Sequence, residues 1–415
     1  MLRRSLPLQL RLIQSSTTLS PVTLTITPTT ITQPPKSVTL TSSSSSAESF
    51  LPPLLSPSTY LHHLLPTQYP SSVTASYASY AVPQFLSATA SSTLMVLSTH
   101  SLLLCLYPST PTLAPAAAAL NWVIKDGLGM LGGIILNSKL GQIKGLDSNP
   151  KLYRLISGGL LDASFYLDLC SPKFPGLFLP IACVSNMFKN VSWLTASASR
   201  ASIHNNLSLK ANLADVTAKS GSQSVAASII GTMGGVGMGM WFGGNWEVTI
   251  GVAVGLSVVH QGGNWWSLRR LGVRNFNRER LGRVCDVYFD KNVVEDPEGI
   301  KHLEAFEPWA KKWESNIRPG VNIQEMGWGE DDVEEWRKNG GEYRIVDDKI
   351  VFLESAENED VVKAFLVARG EEVGRKIGVE EAGKFIDDVK RQGWRMGEGE
   401  VSVESEGGWR VRIEE

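Results

Sequence analysis

Acidic residues are the first thing missing. None of the first 47 positions carries one, and Glu48 is the first in the chain. A longer absence follows, because the 76 residues between Glu48 and Lys125 carry no formal charge. A water-exposed surface is built from charged and polar residues, so such a stretch argues against a wholly soluble protein. Cysteine is scarce, four in 415 residues with no CxxC pair, which argues against a disulfide framework and a cysteine zinc site. No GxSxG, HExxH or Cys/His pairing occurs. The reading is therefore non-enzymatic, with no catalytic, cofactor or metal residue assigned. Lys+Arg 39 against Asp+Glu 41 leaves no whole-chain charge to support nucleic-acid binding.

The charge that is present is uneven. Residues 1–120 hold four bases and one acid, whereas 266–415 hold 25 bases and 34 acids. Three regions follow. Residues 1–47, rich in Ser, Thr and Pro, set Arg3, Arg4 and Arg11 among leucines. That pattern reads as a disordered segment with the character of an organellar transit peptide. Residues 60–270 read as a helical membrane domain, and 284–415 as a small soluble α+β domain. In the last, 284–316, 361–369 and 380–392 suggest helices, 343–354 a hairpin and 401–413 a strand.

The middle region contains six apolar runs, at 85–107, 116–137, 155–171, 174–199, 220–246 and 248–268. Lys139, Lys144, Lys151 and Arg154 follow the second, Arg200, Lys210 and Lys219 the fourth, and Arg269 and Arg270 the sixth. Short turns, at 108–112, 171–175 and 243–247, separate the others. The alternation predicts about six membrane passes in a mostly α-helical bundle, with both termini facing the cytoplasm, matrix or stroma. The alternative is a large membrane-associated helical core without true spans.

Gly231, Gly235, Gly239 and Gly243 recur every four residues, and Gly251 and Gly255 continue the spacing. Four positions turn a helix through 400°, so these form a packing stripe that lets another helix approach closely. The two segments are expected to form a tight helical hairpin. Gly127, Gly129 and Gly132 fit GxGxxG, but Lys125-Asp126 stand where a dinucleotide-binding fold needs an apolar strand.

Ionisable residues inside the apolar runs are Lys125, Asp126, Asp162, Asp168 and Lys189. Each costs about 2.5–3.5 kcal/mol at a bilayer centre, so each should pair or face water. Arg200, His204, Ser208, Asn212, Asp215, Lys219 and Ser222 recur at three or four residues, close to the helical period. They predict one continuous polar face, either a solvated loop helix or the wall of a cavity between helices.

Asn186 with Lys189, Arg200-Ala201, and then Asn212, Ala214, Asp215, Val216, Ala218, Lys219, Ser222 and Gln223 resemble the root UV-B sensitive family. The stretch KDGLGMLG at 125–132, the Pro172 and Pro175 turn, Leu65-Pro66, Tyr69-Pro70 and Ser72-Val73 add to the likeness, which covers about residues 60–270. Gly133 stands where the family often has Arg, and Ser76 where it often has Asp. The resemblance implies a multi-pass membrane protein linked in plants to UV-B responses, seedling development and vitamin B6 homeostasis. It also implies association among members and with plastids, and brings no catalytic mechanism.

Two functions are expected. In the first, a polar site inside the bilayer binds or passes a small metabolite, with Lys125, Asp126, Asp162, Asp168, Asn186, Lys189, Arg200, Asn212, Asp215, Lys219, Ser222 and Gln223 as candidates. In the second, a membrane scaffold assembles through the glycine stripes and its acidic C-terminal domain recruits a soluble partner. The expected partners are the lipid bilayer, a small metabolite, and a second copy or related family member, in a mitochondrial or plastid membrane.

Overall fold

The computed structural model describes residues 22–26, 36–40, 64–106, 115–140, 146–397, 401–403 and 410–411. The chain divides into two units after Tyr60. In the first, β1 (Val22–Ile26) and β2 (Lys36–Leu40) pair antiparallel with Val22 opposite Leu40. The β-branched residues Val22, Thr23, Thr25, Ile26, Val38 and Thr39 favour that pairing, so the segment read as disordered contains two regular strands. The Arg-bearing opening of the chain lies outside the described residues.

The second unit begins with six long helices: α1 (Tyr77–Leu106), α2 (Pro115–Leu140), α3 (Pro150–Cys170), α4 (Phe178–Leu207), α5 (Leu213–Phe242) and α6 (Trp246–Arg269). Each overlaps one apolar run. Pro150 opens α3, where its missing N–H costs nothing. Pro172 and Pro175 set two short 3-10 turns between α3 and α4. Asn245 caps α6, its side chain accepting from Val248 N at 3.2 Å. Among the described residues three segments, Tyr77–Cys105, Ala119–Leu136 and Leu213–Phe242, are long and apolar enough to cross a membrane.

Helix α1 is the hub, packing on α5, α6 and α3, while α4 packs on α3 and α2. The glycine stripe seats α1. A Cβ on Gly231 would lie 2.3 Å from the Thr89 carbonyl oxygen, and one on Gly235 would lie 2.7 Å from Val96 Cβ. The expected α5–α6 hairpin is therefore corrected. Those two helices make little contact, α1 stands between them, and Gly239, Gly251 and Gly255 meet nothing within 4 Å. Spacing marks a close-packing face but carries no information about which helix uses it. Two of the GxGxxG glycines are also packing positions inside a helix, because a Cβ on Gly129 or Gly132 would strike Asn186 or Met187 of α4, whereas one on Gly127 would meet nothing within 4 Å.

Hydroxyl groups stitch the bundle. Ser87 Oγ donates to His260 O at 2.8 Å, Ser185 Oγ to Ser164 O at 2.9 Å, and Ser192 Oγ to Ser157 O at 2.6 Å. Each of these donors is spent on a carbonyl of a neighbouring helix, which satisfies a hydroxyl inside the bundle.

The C-terminal part contains β3 (Phe276–Asn277), α7 (Arg278–Lys291), α8 (Pro297–Ile300), β4 (Arg318–Pro319), α9 (Glu330–Asn339), β5 (Tyr343–Val346) and β6 (Lys349–Leu353). Then come α10 (Asn358–Glu372), α11 (Val379–Arg391), β7 (Val401–Ser402) and β8 (Arg410–Val411). Strand β6 pairs antiparallel with β5 and parallel with both β4 and β8. Its core includes Phe276 stacked on Trp394 at 4.4 Å, with Cys285, Phe365 and Phe385 buried. The expected helix over 284–316 is corrected. Asn277 accepts from Arg280 N at 2.8 Å and starts α7 earlier, and Asn292 at φ 55° stops it. Residues 301–317 contain no helix or strand.

Bundle and C-terminal part meet at a buried ionic triad. Glu304 accepts from Lys151 Nζ at 2.5 Å and from Arg280 Nη1 at 2.6 Å. Arg280 also donates to Ser148 O and Asn275 O, both at 2.6 Å. All three side chains are buried, so their pairing is what makes the burial tolerable.

Candidate functional site

The charges inside the apolar runs are internally matched. Asp168 of α3 pairs with Lys189 of α4, and Lys125 pairs with its neighbour Asp126. Asn186 Nδ2 reaches Lys125 O and Asp126 O at 3.4 Å and Asp126 Oδ1 at 3.3 Å. Lys125 Nζ also sits 4.5 Å from the Trp122 ring centroid, a favourable position for a cation. Five of the expected residues thus form one cluster across α2, α3 and α4. Asp162 stands apart, binding His260 Nδ1 at 2.6 Å and Gln261 Nε2 at 2.8 Å on α6.

Above that pair opens a cavity of about 290 Å³ walled by α1, α3, α4, α5 and α6. Tyr80, Arg154, Arg200 and His204 line one end, at the base of the bundle where the Lys/Arg-rich connections lie. Ser157, Ser192, Gln84, Asn264 and His260 continue the polar wall, against Phe85 and Phe165. His204 Nδ1 lies 3.1 Å from Thr217 Oγ1, and Gln84 Nε2 donates to Asn264 Oδ1 at 3.0 Å. Among the described residues no Asp or Glu lines the space.

The expected single polar face over 200–223 is corrected. Helix α4 ends at Leu207 and α5 starts at Leu213, with Ala211 in the left-handed region at φ 51°. Asn212 Oδ1 accepts from Ser208 Oγ at 2.8 Å and Lys210 N at 3.3 Å, turning the chain instead of extending the helix. Asp215 accepts from Thr67 N at 2.6 Å, and Gln223 Nε2 donates to Leu64 O at 2.8 Å and sits 3.2 Å from Tyr77 Oη. These residues fasten the strap at 64–76 across the α4–α5 connection, helped by Leu209 N donating to Ser72 O at 3.1 Å. Ser222 bonds within its own helix, its Oγ donating to Ala218 O at 3.2 Å, and Lys219 is half-buried. Of residues 200–223, Arg200, His204, Leu207, Val216, Ser220 and Gln223 line the cavity.

Tyr80, Arg154, His260 and Asn264 are not among the sequence candidates. Arg154 reads as a loop charge, yet it lies on α3, and its spacing to Gly158, Leu161 and Phe165 is helical. That spacing was the available signal. His260 and Asn264 are hidden because neutral polar residues do not interrupt an uncharged run.

Comparison with known proteins agrees with this anatomy. A domain described as vitamin B6 photo-protection and homoeostasis matches residues 56–292, from just ahead of the strap to just past α7. Protein root UVB sensitive 3 of Arabidopsis thaliana is 30% identical over 261 residues, 62% of this chain and 59% of that protein. RUS family member 1 of Dictyostelium discoideum is 28% identical over 263 residues, 62% and 49% respectively. Protein root UVB sensitive 2, chloroplastic, of Arabidopsis thaliana is 30% identical over 245 residues, 59% and 55%. The aligned region thus spans only about half to three fifths of these relatives. No solved structure matches. Because the matched domain takes in the strap, all six long helices and every wall of the cavity, the chain belongs to the root UV-B sensitive family.

Proposed function

We propose that this chain is an integral membrane protein whose helical bundle binds or passes a small metabolite through the polar cavity, without catalysing a reaction. The observation that carries the reading is an inversion of polarity. Buried positions of the bundle include Ser87, Ser164, Ser185, Asp168 and Lys189, while Val82, Val123, Ile135, Met233 and Trp241 are exposed. Proteins in water favour the opposite arrangement, and a broad exposed apolar surface suits lipid. In hydrocarbon, α4 tolerates Lys189 because Asp168 meets it, and the cavity supplies a polar space between helices. The family link to UV-B response and vitamin B6 homeostasis, and a relative named chloroplastic, favour an organellar membrane and a metabolite as solute.

The test has two parts. The full chain should resist a carbonate wash of isolated membranes. Ala88→Phe and Ser224→Phe, which add bulk at the cavity wall, should each abolish complementation of a deletion strain while leaving insertion unchanged. Normal rescue by both variants would remove the cavity from the function.

A further inference from the structure

The cavity has a charge imbalance that the bundle leaves uncorrected. The buried cations elsewhere each meet a carboxylate: Lys125 at Asp126, Lys189 at Asp168, Lys151 and Arg280 at Glu304. Arg154 and Arg200 are different. Among the described residues neither guanidinium makes an ion pair or a hydrogen bond, and Arg154 Nε is shielded from solvent without a partner. The two are close enough that each charge opposes the other, and Tyr80 lies within reach of both fields. Both side chains are half-buried, and like charges held together with reduced access to water destabilise a fold unless something neutralises them. Nothing in the cavity wall does so.

We infer that the cavity takes a small organic phosphate, its phosphoryl group held between Arg154 and Arg200. This rests on the proposed role of the cavity as a solute site. Two guanidiniums match the two charges of a phosphate monoester, and their planar forks share its tetrahedral oxygens with bidentate geometry. Tyr80 and His204 add groups that hydrogen-bond the same head. Asp162 lies eight residues from Arg154 on α3, about 12 Å deeper at 1.5 Å per residue. There His260, its Nδ1 engaged by Asp162, leaves Nε2 for a polar group at the solute's far end. Phe85 and Phe165 line the space between and suit a flat or apolar body. At about 290 Å³ the cavity is at the small end of ligand pockets, which favours a monophosphate over a dinucleotide.

The test uses the full chain, purified in detergent at constant ionic strength, and reads its thermal unfolding midpoint. Glycerol 3-phosphate and inorganic phosphate should raise the midpoint, and glycerol should not. Arg154→Met and Arg200→Met should each weaken the response roughly 10- to 100-fold in half-saturating concentration, the range for a lost charge-assisted contact. Neither should lower the ligand-free midpoint, because each removes an unmatched charge. A parallel arm in phosphatidylcholine nanodiscs, with and without phosphatidic acid, should give no shift from the lipid. A wild-type protein indifferent to both phosphates, or a double variant responding like wild type, overturns the inference. A shift from phosphatidic acid alone also overturns it, by assigning the phosphoryl chemistry to a lipid headgroup. Should the phosphates fail while Ala88→Phe and Ser224→Phe still abolish complementation, the anion falls and the cavity's role stands.

Discussion

Replacing Glu304 with Leu removes the shared partner of two buried cations. Lys151 and Arg280 are each 1% exposed, so water cannot take the carboxylate's place. Breaking a buried ion pair from one side costs about 3–5 kcal/mol, against a total stability of about 5–15 kcal/mol for a domain. The loss should fall unequally. Arg280 keeps Ser148 O, Asn275 O and Asn275 Oδ1, while Lys151 loses its acceptor at 2.5 Å. Adding Lys151→Met to Glu304→Leu should therefore recover more stability than adding Arg280→Met. Limited proteolysis of the full chain, followed at the junction between α6 and β3, reads this directly. Cleavage there should accelerate in Glu304→Leu and slow again in the double variant. An effect within about 1 kcal/mol, the size of an exposed pair, would refute the claim that this triad holds the bundle to its C-terminal part.

The same carboxylate gives a pH prediction. Burial alone would raise its pKa, but Lys151 and Arg280 outweigh that and hold it below the usual carboxylate range. Its stabilisation is then fully present above about pH 4.3, the ordinary glutamate value, and is lost as pH falls through the lowered native value. The junction should resist protease unchanged from neutral pH to pH 5; loosening by pH 5 would contradict the assignment. Gly235→Leu should prevent monodisperse assembly in detergent, because even a Cβ there lies 2.7 Å from Val96 Cβ, whereas Gly239→Leu and Gly251→Leu should assemble normally. Equal behaviour of the three would mean the stripe does not seat α1. Gly282→Ala drives a methyl to 2.4 Å from the Trp313 ring and should destabilise the C-terminal part by about 1–3 kcal/mol. Unfolding that leaves its midpoint unmoved would show that Trp313 swings clear. Asp168→Asn should destabilise the bundle by leaving Lys189 unmatched, and Lys189→Met in the same chain should restore most of the loss; no recovery would mean the carboxylate has another role.

How much of this was legible varies by the kind of signal. Six apolar runs correspond to six helices because a buried apolar segment satisfies its backbone polar groups most completely within one helix. The hairpin read over 343–354 appears as β5 and β6, and the C-terminal helix signals as α10 and α11, because alternation and helical periodicity are local properties. Helix partners were less legible. Gly231 and Gly235 announced a close approach, but the helix that answers, α1, lies more than a hundred residues earlier. The 200–223 reading failed at Ser208 and Asn212, whose side chains bond the backbone locally and break the period they seemed to share. Arg154 and His260 were passed over because counting formal charge treats an arginine after a proline as a connector and a neutral imidazole as nothing.

The hub position of α1 also bears on synthesis. It is the first of the six long helices to leave the ribosome, yet two of its main partners, α5 and α6, begin only at Leu213 and Trp246. Its hydroxyl-bearing face must be sheltered by transient neighbours until those segments arrive. A nascent chain halted in the α4–α5 connection would hold four finished helices around a groove awaiting its closure, and would be a natural target for cellular quality control.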